Sequence, residues 1–313
     1  MKLAQTMLKA LEAIASPSGL WTAVATFAVG VGVWAGLLAS DLAAAGQPPA
    51  GTQPQEPSAA GDRRGAQPLR LAGSGSNVAL LRETVAACQR AGQPLQVTVE
   101  PGIGSSGGLR ALRDRAVEAA LVSRAIAPAE LASGELQAHY ASVPVAFAGS
   151  GHSLANQDTA ALLAALAAEP PQWPDGRPLV WALREPSDSG HRVLARELPP
   201  FVTAEARARA RPAAQVYFHD RTLHAALLLS DASVGLVDAS AVRAEGLPLH
   251  LFGWGTVQPD AASVASGAWP FVKPHSLVYP AAAADQLAPL LNCLRSSAAH
   301  DALRHFGAAP SLL

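Results

Sequence analysis

The chain has 313 residues, 50% hydrophobic, 15% charged and 5% aromatic, with a formal net charge of -1. That length gives one large or two ordinary domains with ample apolar material for a core, and the near-neutral balance excludes a nucleic-acid binder that works by phosphate neutralisation. Two cysteines, Cys88 and Cys293, exclude a four-cysteine zinc site and a disulfide-built scaffold.

Taken in chain order, the first feature is Leu20–Ser40, LWTAVATFAVGVGVWAGLLAS, which carries no charge. At about 1.5 Å per residue such a run crosses a hydrocarbon core of about 30 Å. Lys2 and Lys9 precede it and the next positive charges are Arg63 and Arg64, which predicts a cytoplasmic N-terminus and export of everything after Asp41. Two readings of residues 1–45 stand. One is an uncleaved membrane anchor, longer than the apolar stretch of a usual signal peptide; the other is a signal peptide cleaved at Ala43-Ala44-Ala45 before Gly46. Both place the rest in the periplasm or at the outer face of the cytoplasmic membrane. Residues 46–67, rich in Pro, Gly, Gln and Ala, read as a flexible linker.

The folded part begins near Leu69. Pro68–Ala72 alternates as a strand and ends in Gly73-Ser74-Gly75-Ser76-Asn77, after which VALLRETVAACQRAG has helical spacing. Leu95–Glu100 is a second strand, running into Pro101-Gly-Ile-Gly-Ser-Ser-Gly-Gly108 and a helix predicted over Leu109–Ala120. Ala120–Ser123 reads as a buried strand. Leu179–Leu183 leads through Arg184-Glu-Pro-Ser-Asp-Ser-Gly190 into a helix over His191–Phe201. Near the C-terminus, Leu287–Gly307 reads as one long helix. Alternating strands and helices predict an α/β architecture with a mostly parallel sheet.

Three loops share one chemistry. In each, glycine permits close backbone approach and serine opens a helix, so exposed N–H groups and the positive end of the helix dipole form an anion cradle. The hydroxyls of Ser76, Ser105 and Ser189 and the amide of Asn77 add neutral donors, and Arg184 adds a bidentate fork. Each loop taken singly is equally a serine N-cap with a turn glycine; the repetition favours a binding site.

These residues resemble the phosphate-binding (PstS-type), type II periplasmic solute-binding proteins of ABC importers. The first loop resembles that family's first ligand loop, Gly102–Gly108 its most distinctive motif, Val117–Arg124 its fourth segment, and Arg184 through Ser189-Gly190 its arginine and serine-glycine-threonine turn. Gly235-Leu-Val, Trp269–Pro274 and Phe306–Pro310 fall in the family's order. The resemblance spans roughly residues 69–313. It implies an α/β, two-lobed type II periplasmic-binding-protein fold with the ligand cleft between the lobes. Lobe I would comprise 68–148 and 252–313, lobe II 149–251, with crossings near Val143–Phe147 and after His250. It implies anion contacts from Asn77, Ser105, Arg184, Ser189 and Gly190, with Val78 donating through its backbone N–H; Ser76, Ser106, Ser123 and His191 complete the candidate ligand set. Its partners would be a small inorganic or organic anion and an ABC permease, with the membrane reached through the N-terminal segment. It implies a binding protein and not an enzyme, with no cofactor; the histidine spacing predicts no metal site and the net charge no nucleic-acid partner. The sequence departs from the family at three points: Ser123 stands where the phosphate binders have an aspartate, His191 where they have threonine, and the Arg184–Ser189 turn has one extra residue, with Asp188 beside the serine. Asp188 reads either as a substitute acceptor or as a helix cap, with the cap favoured.

Other constellations compete. Gly104–Gly108 also satisfies G-x-S-x-G, the serine-hydrolase elbow, and Asp188, His191, His219-Asp220, Asp238, His250 and His275 follow it in chain order. A membrane-tethered sensor or scaffold would use the same domain. His300 and His305 share one helical stretch without a third ligand and read as surface residues. Glu205–Arg211, in which arginine alternates with alanine, reads as a solvated face, and Trp254 as hinge packing. Cys88 and Cys293 are either a disulfide or two buried thiols.

Overall fold

Ten strands and ten α-helices alternate along the described residues, 68–151 and 158–311, of the computed structural model. These residues fall in one compact unit, Arg63–Leu313. The anchor, signal-peptide and linker segments lie outside the described residues.

The order is β1 (Leu69–Gly73), α1 (Gly75–Arg90), β2 (Val97–Val99), α2 (Ser105–Arg113), β3 (Ala119–Val122) and the long β4 (Glu135–Gly149). Next come α3 (Thr159–Ala167), β5 (Val180–Arg184), α4 (Ser189–Glu197), α5 (Pro199–Ala210), β6 (Gln215–Tyr217) and α6 (Asp220–Leu229). The chain then forms β7 (Ser233–Asp238), α7 (Ala239–Ala244), β8 (His250–Leu251), α8 (Ala261–Ala265) and β9 (Val272–Pro280). It closes with α9 (Ala284–Arg295), α10 (Ser297–His305) and β10 (Ala309–Pro310).

The strands form one mixed sheet in the order β2-β1-β3-β9-β4-β7-β5-β6, with β8 and β10 also on β4. The expected parallel pairing holds at the flanks, where β1 lies parallel to β2 and β3, and β5 to β6 and β7. The middle is antiparallel, a correction that comes from β4 and β9. β4 pairs with β9 over Glu135–Pro144, then with β7 over Val145–Gly149. One strand thus belongs to both halves of the sheet.

Two main cores flank that crossing. On one side α1, α9 and α10 bury Leu80, Leu81, Val85, Leu290, Leu294 and Leu303 against the β1–β3–β9 region. On the other, Phe147, Leu163, Trp181, Leu194 and Phe201 pack together, with Trp181 edge-on to both Phe147 and Phe201 at 5.5 Å. Each such buried side chain contributes roughly 1.5–3 kcal/mol.

Three helix boundaries differ from the sequence pattern for local reasons. The helix predicted to reach Ala120 ends at Arg113, because Arg115 takes a left-handed φ of 57° and its N–H and that of Ala116 close back onto Leu112 and Ala111. This is a Schellman stop without its usual glycine. The helix predicted over His191–Phe201 divides at Leu198: Pro199 cannot continue α4 but is pre-set to start α5. The C-terminal helix divides at Ser296, whose side chain caps α10 by accepting from Ala299 N–H.

Cys88 on α1 and Cys293 on α9 form a disulfide, with Cα atoms 5.8 Å apart and a sequence separation of 205. Thiol titration of the unreduced, unfolded protein should find no free thiol. Cys88→Ala with Cys293→Ala should lower stability by roughly 2–4 kcal/mol in denaturant unfolding.

Candidate functional site

Four strands, β1, β2, β5 and β6, each hand the chain to a helix whose first turn borders a single cleft of about 460 Å³. Ser74 and Gly75 bring α1, Gly104–Gly107 bring α2, Asp188 and Ser189 bring α4, and His219 and Asp220 bring α6. Helix amino ends carry unpaired N–H groups and partial positive charge, so their convergence selects for anions. Six arginines and four acidic residues also line the cleft, a small positive excess on an otherwise neutral protein.

The first two loops lock together backbone to backbone. Ile103 N–H donates to the Gly73 carbonyl at 2.8 Å, and a Cβ on Gly102 would stand 2.6 Å from Gly75 Cα. Glycine is required there for the loops to meet, before any ligand is considered. Neither Ser74 nor Gly104 caps its helix through a side chain, so the first turns of α1 and α2 present donors to the cleft. The third helix differs: Asp188 caps α4 by accepting from His191 N–H at 3.0 Å.

Arg184 ends β5, is 6% exposed and lines the cleft. Its Nη2 meets Asp188 Oδ2 at 2.9 Å and Asp220 Oδ1 at 3.4 Å, while Nη1 is buried without a partner. Burial alone would lower its basicity, but Asp220 and Asp188 outweigh that and hold the guanidinium above its ordinary value. Conversely, Arg184 and Lys273 overcome the burial of Asp188 and keep its carboxyl below the usual range. Asp188 is therefore both the cap expected of it and a partner of Arg184.

Beneath the cleft lies a buried polar cluster. Lys273, on β9 and 4% exposed, donates to Ser76 Oγ at 3.0 Å and Ser189 Oγ at 3.3 Å, and lies 3.4 Å from Asp238 Oδ2. One cation thus joins the first turns of α1 and α4. A serine oxygen that accepts from an ammonium keeps its own proton for another acceptor, so Ser189, which lines the cleft, retains a donor. Asp238 caps α7 through Ser240 and Ala241 N–H, and His275 Nε2 lies 3.0 Å from its Oδ2 without hydrogen-bond alignment. Burial would raise the Asp238 carboxyl, yet Lys273 and His275 bring it down to about 2. Burial holds His275 below its ordinary value.

The sequence-predicted residues fall into two groups. Val78, Ser105, Ser106, Arg184 and Ser189 line the cleft. Ser76, Asn77 and Ser123 lie beneath it, at 2% exposure or less. Asn77 spends its amide on the Val122 carbonyl at 3.3 Å and accepts from Tyr140 at 2.6 Å. Ser123 N–H donates to Ser105 Oγ at 3.2 Å, fixing the second loop. Gly190 packs against Val145, and His191 turns away to Glu205 at 2.6 Å and the Phe201 ring. Neither Ser105 nor Ser106 is hydrogen-bonded to a histidine or carboxylate among the described residues. The Glu205–Arg211 stretch is not simply a solvated face: Glu205 is buried and Arg209 bonds the Arg184 carbonyl. Trp254 packs edge-on to Phe271 at 5.2 Å. Among the described residues no group of three His, Cys, Asp or Glu side chains is placed to hold a metal, and no helix is long and apolar enough to cross a membrane.

Two residues stood outside the expected ligand set. Lys273 lies in the Trp269–Pro274 segment and is the sole lysine after Lys9. Asp220 was singled out only as an acid following the G-x-S-x-G pattern, with nothing to place it beside Arg184.

The sequence matches a family model described as a PBP superfamily domain over residues 43–292, and the chain belongs to this superfamily. No curated protein matches it. Among solved structures it is similar to a Clostridium perfringens protein with bound phosphate, assigned as a phosphate ABC-transporter substrate-binding protein. That match has a TM-score of 0.63 at 13% identity and covers 79% of this chain and 100% of that one. An ABC-type phosphate transport receptor from Vibrio cholerae matches at TM-score 0.52 and 15% identity, covering 77% and 99%. A reduced form of OxyR from N. meningitidis matches at TM-score 0.53 and 13% identity, covering 79% and 100%. The fold is the two-lobed, α/β type II periplasmic-binding-protein fold.

Lys273→Met leaves Asp238 buried without its cation and should cost about 3–5 kcal/mol, much of it recovered when Asp238→Asn is added. Because the Asp238 carboxyl is depressed, its contribution is complete above about pH 4 and is lost as pH falls toward 2. Urea midpoints of the native protein should therefore drop across that window, and those of Asp238→Asn should drop less.

Proposed function

We propose that the chain is an exported solute-binding protein that captures a small oxyanion, phosphate or a phosphate-like species, and delivers it to an ABC permease. The observation that carries this reading is the convergence of the amino ends of α1, α2, α4 and α6 with Arg184 on one cleft. Backbone N–H groups of α1 and α2, the hydroxyls of Ser105, Ser106 and Ser189, and the free Nη1 of Arg184 supply donors with little net charge. Ser76, Asn77 and Ser123 serve from below by fixing the loops. Residues 68–148 with 252–313 form one lobe and 149–251 the other, closing about β4 by a hinge. The Cys88–Cys293 disulfide fits an oxidising compartment, as does export by the Leu20–Ser40 segment, which leaves the protein anchored at the outer face of the cytoplasmic membrane or free in the periplasm. A fold found in both a phosphate transport receptor and OxyR does not itself define a function; the cleft is what supports this reading.

Calorimetry with phosphate, sulfate, molybdate and small carboxylates should give saturable binding of at least one, weakened at least about tenfold by Arg184→Gln through loss of a charge-assisted hydrogen bond. Absence of binding to all four classes overturns the reading. Protease added to intact spheroplasts should digest the folded part, and protection there would overturn export.

A further inference from the structure

The first turn of α1 and the Arg184 guanidinium are strong attractions for an anion in the cleft, and a carboxylate of the chain already lies on both. Asp220 Oδ1 is 3.4 Å from Arg184 Nη2. Its Oδ2 lies so close over Gly75, the first residue of α1, that a Cβ there would approach it to 2.5 Å. Asp188 also holds Arg184 Nη2, so two carboxylates share one guanidinium nitrogen, and Asp220 places a negative charge where the anion would sit. A dianion that reached this point would meet repulsion while both remained in place.

The two carboxylates are not equivalent. Asp188 is tied to the backbone of α4 by the His191 N–H. Asp220 accepts no hydrogen bond from a backbone N–H among the described residues and keeps its place by charge and by the space that Gly75 leaves it. It follows a two-residue connection from β6, Phe218 and His219, of which Phe218 is 62% exposed.

We infer that Asp220 is a tethered competitor for the anion position: its carboxylate occupies the contact with α1 and Arg184 and swings aside when a ligand binds. Asp220 thereby sets affinity and selects among ligands by charge, disfavouring those that are fully ionised. The inference rests on the oxyanion reading and adds to it a residue of this chain that acts against binding.

The test is calorimetry of the full-length protein at pH 8 with sulfate and with phosphate, comparing wild type, Asp220→Asn and Glu185→Gln. Glu185 also lines the cleft and has the same charge; it acts on Arg184 more weakly than Asp220 or Asp188 and forms no ion pair with it among the described residues. Removing a like charge at this separation is worth on the order of tenfold in affinity, so Asp220→Asn should bind sulfate about tenfold more tightly, and Glu185→Gln should change by less than about twofold. Binding that appears only in Asp220→Asn supports the inference equally. Unchanged or weakened binding in Asp220→Asn, with a wild type that binds, overturns the competitor and leaves the oxyanion reading intact. An equal gain in both variants also overturns it, since net charge alone would then account for the effect. No binding of either anion to any of the three proteins, with molybdate and small carboxylates also silent, overturns both readings together.

Discussion

The cleft depends on a cation that never reaches it. Lys273 sits on the β9 segment paired with β4, where the sheet passes from one half to the other, and its ammonium holds a serine of α1 and a serine of α4 at once. An ammonium buried to this degree is costly unless it is paired and hydrogen-bonded. Asp238 supplies the pair and the two serines supply the bonds. Take the lysine away and the carboxylate, the two hydroxyls and the two helix ends all lose the group that fixes their relative positions.

The charge balance of the chain explains why the site is built this way. A near-neutral protein has no bulk positive field with which to gather anions. Attraction must come from local sources: helix amino ends that lack side-chain caps, and one guanidinium with a buried nitrogen free of partners. In a cleft walled by protein such fixed dipoles are worth more than they would be in water, since the surroundings screen them less. Four acidic side chains on the same walls keep the field modest and short-ranged.

Much of this was legible in the sequence because glycine, serine and hydrophobic period report directly on backbone. The loops after β1, β2 and β5 stand where the pattern put them, and so do the strands that deliver them. The misses share a cause. Arg115 in a left-handed turn, the Pro199 restart and the Ser296 cap are decided by hydrogen bonds at single residues, which a periodicity of several turns averages away. The antiparallel middle of the sheet was hidden because β4 and β9 lie more than a hundred residues apart in sequence. The site divided along a similar line. Ser105, Arg184 and Ser189 belong to local motifs and reach the cleft, whereas Asn77, Ser123 and His191 are drawn into contacts with Tyr140, Ser105 and Glu205 that no local pattern foretells. Asp220 is the extreme case, meaningful only through residues from two other loops.

The same distinction bears on how a weakly charged site stays ordered without its ligand. A guanidinium alone on a buried wall would sample rotamers and lose affinity each time it had to be refixed. Asp188 and Asp220 hold Arg184 in place at a cost in binding strength, and the glycine at the head of α1 leaves just the room one of them needs. Order before binding and competition during binding are then two consequences of one arrangement. A tighter site would need Arg184 fixed by neutral acceptors, as Ser76 and Ser189 are to the Lys273 ammonium beside its Asp238 partner.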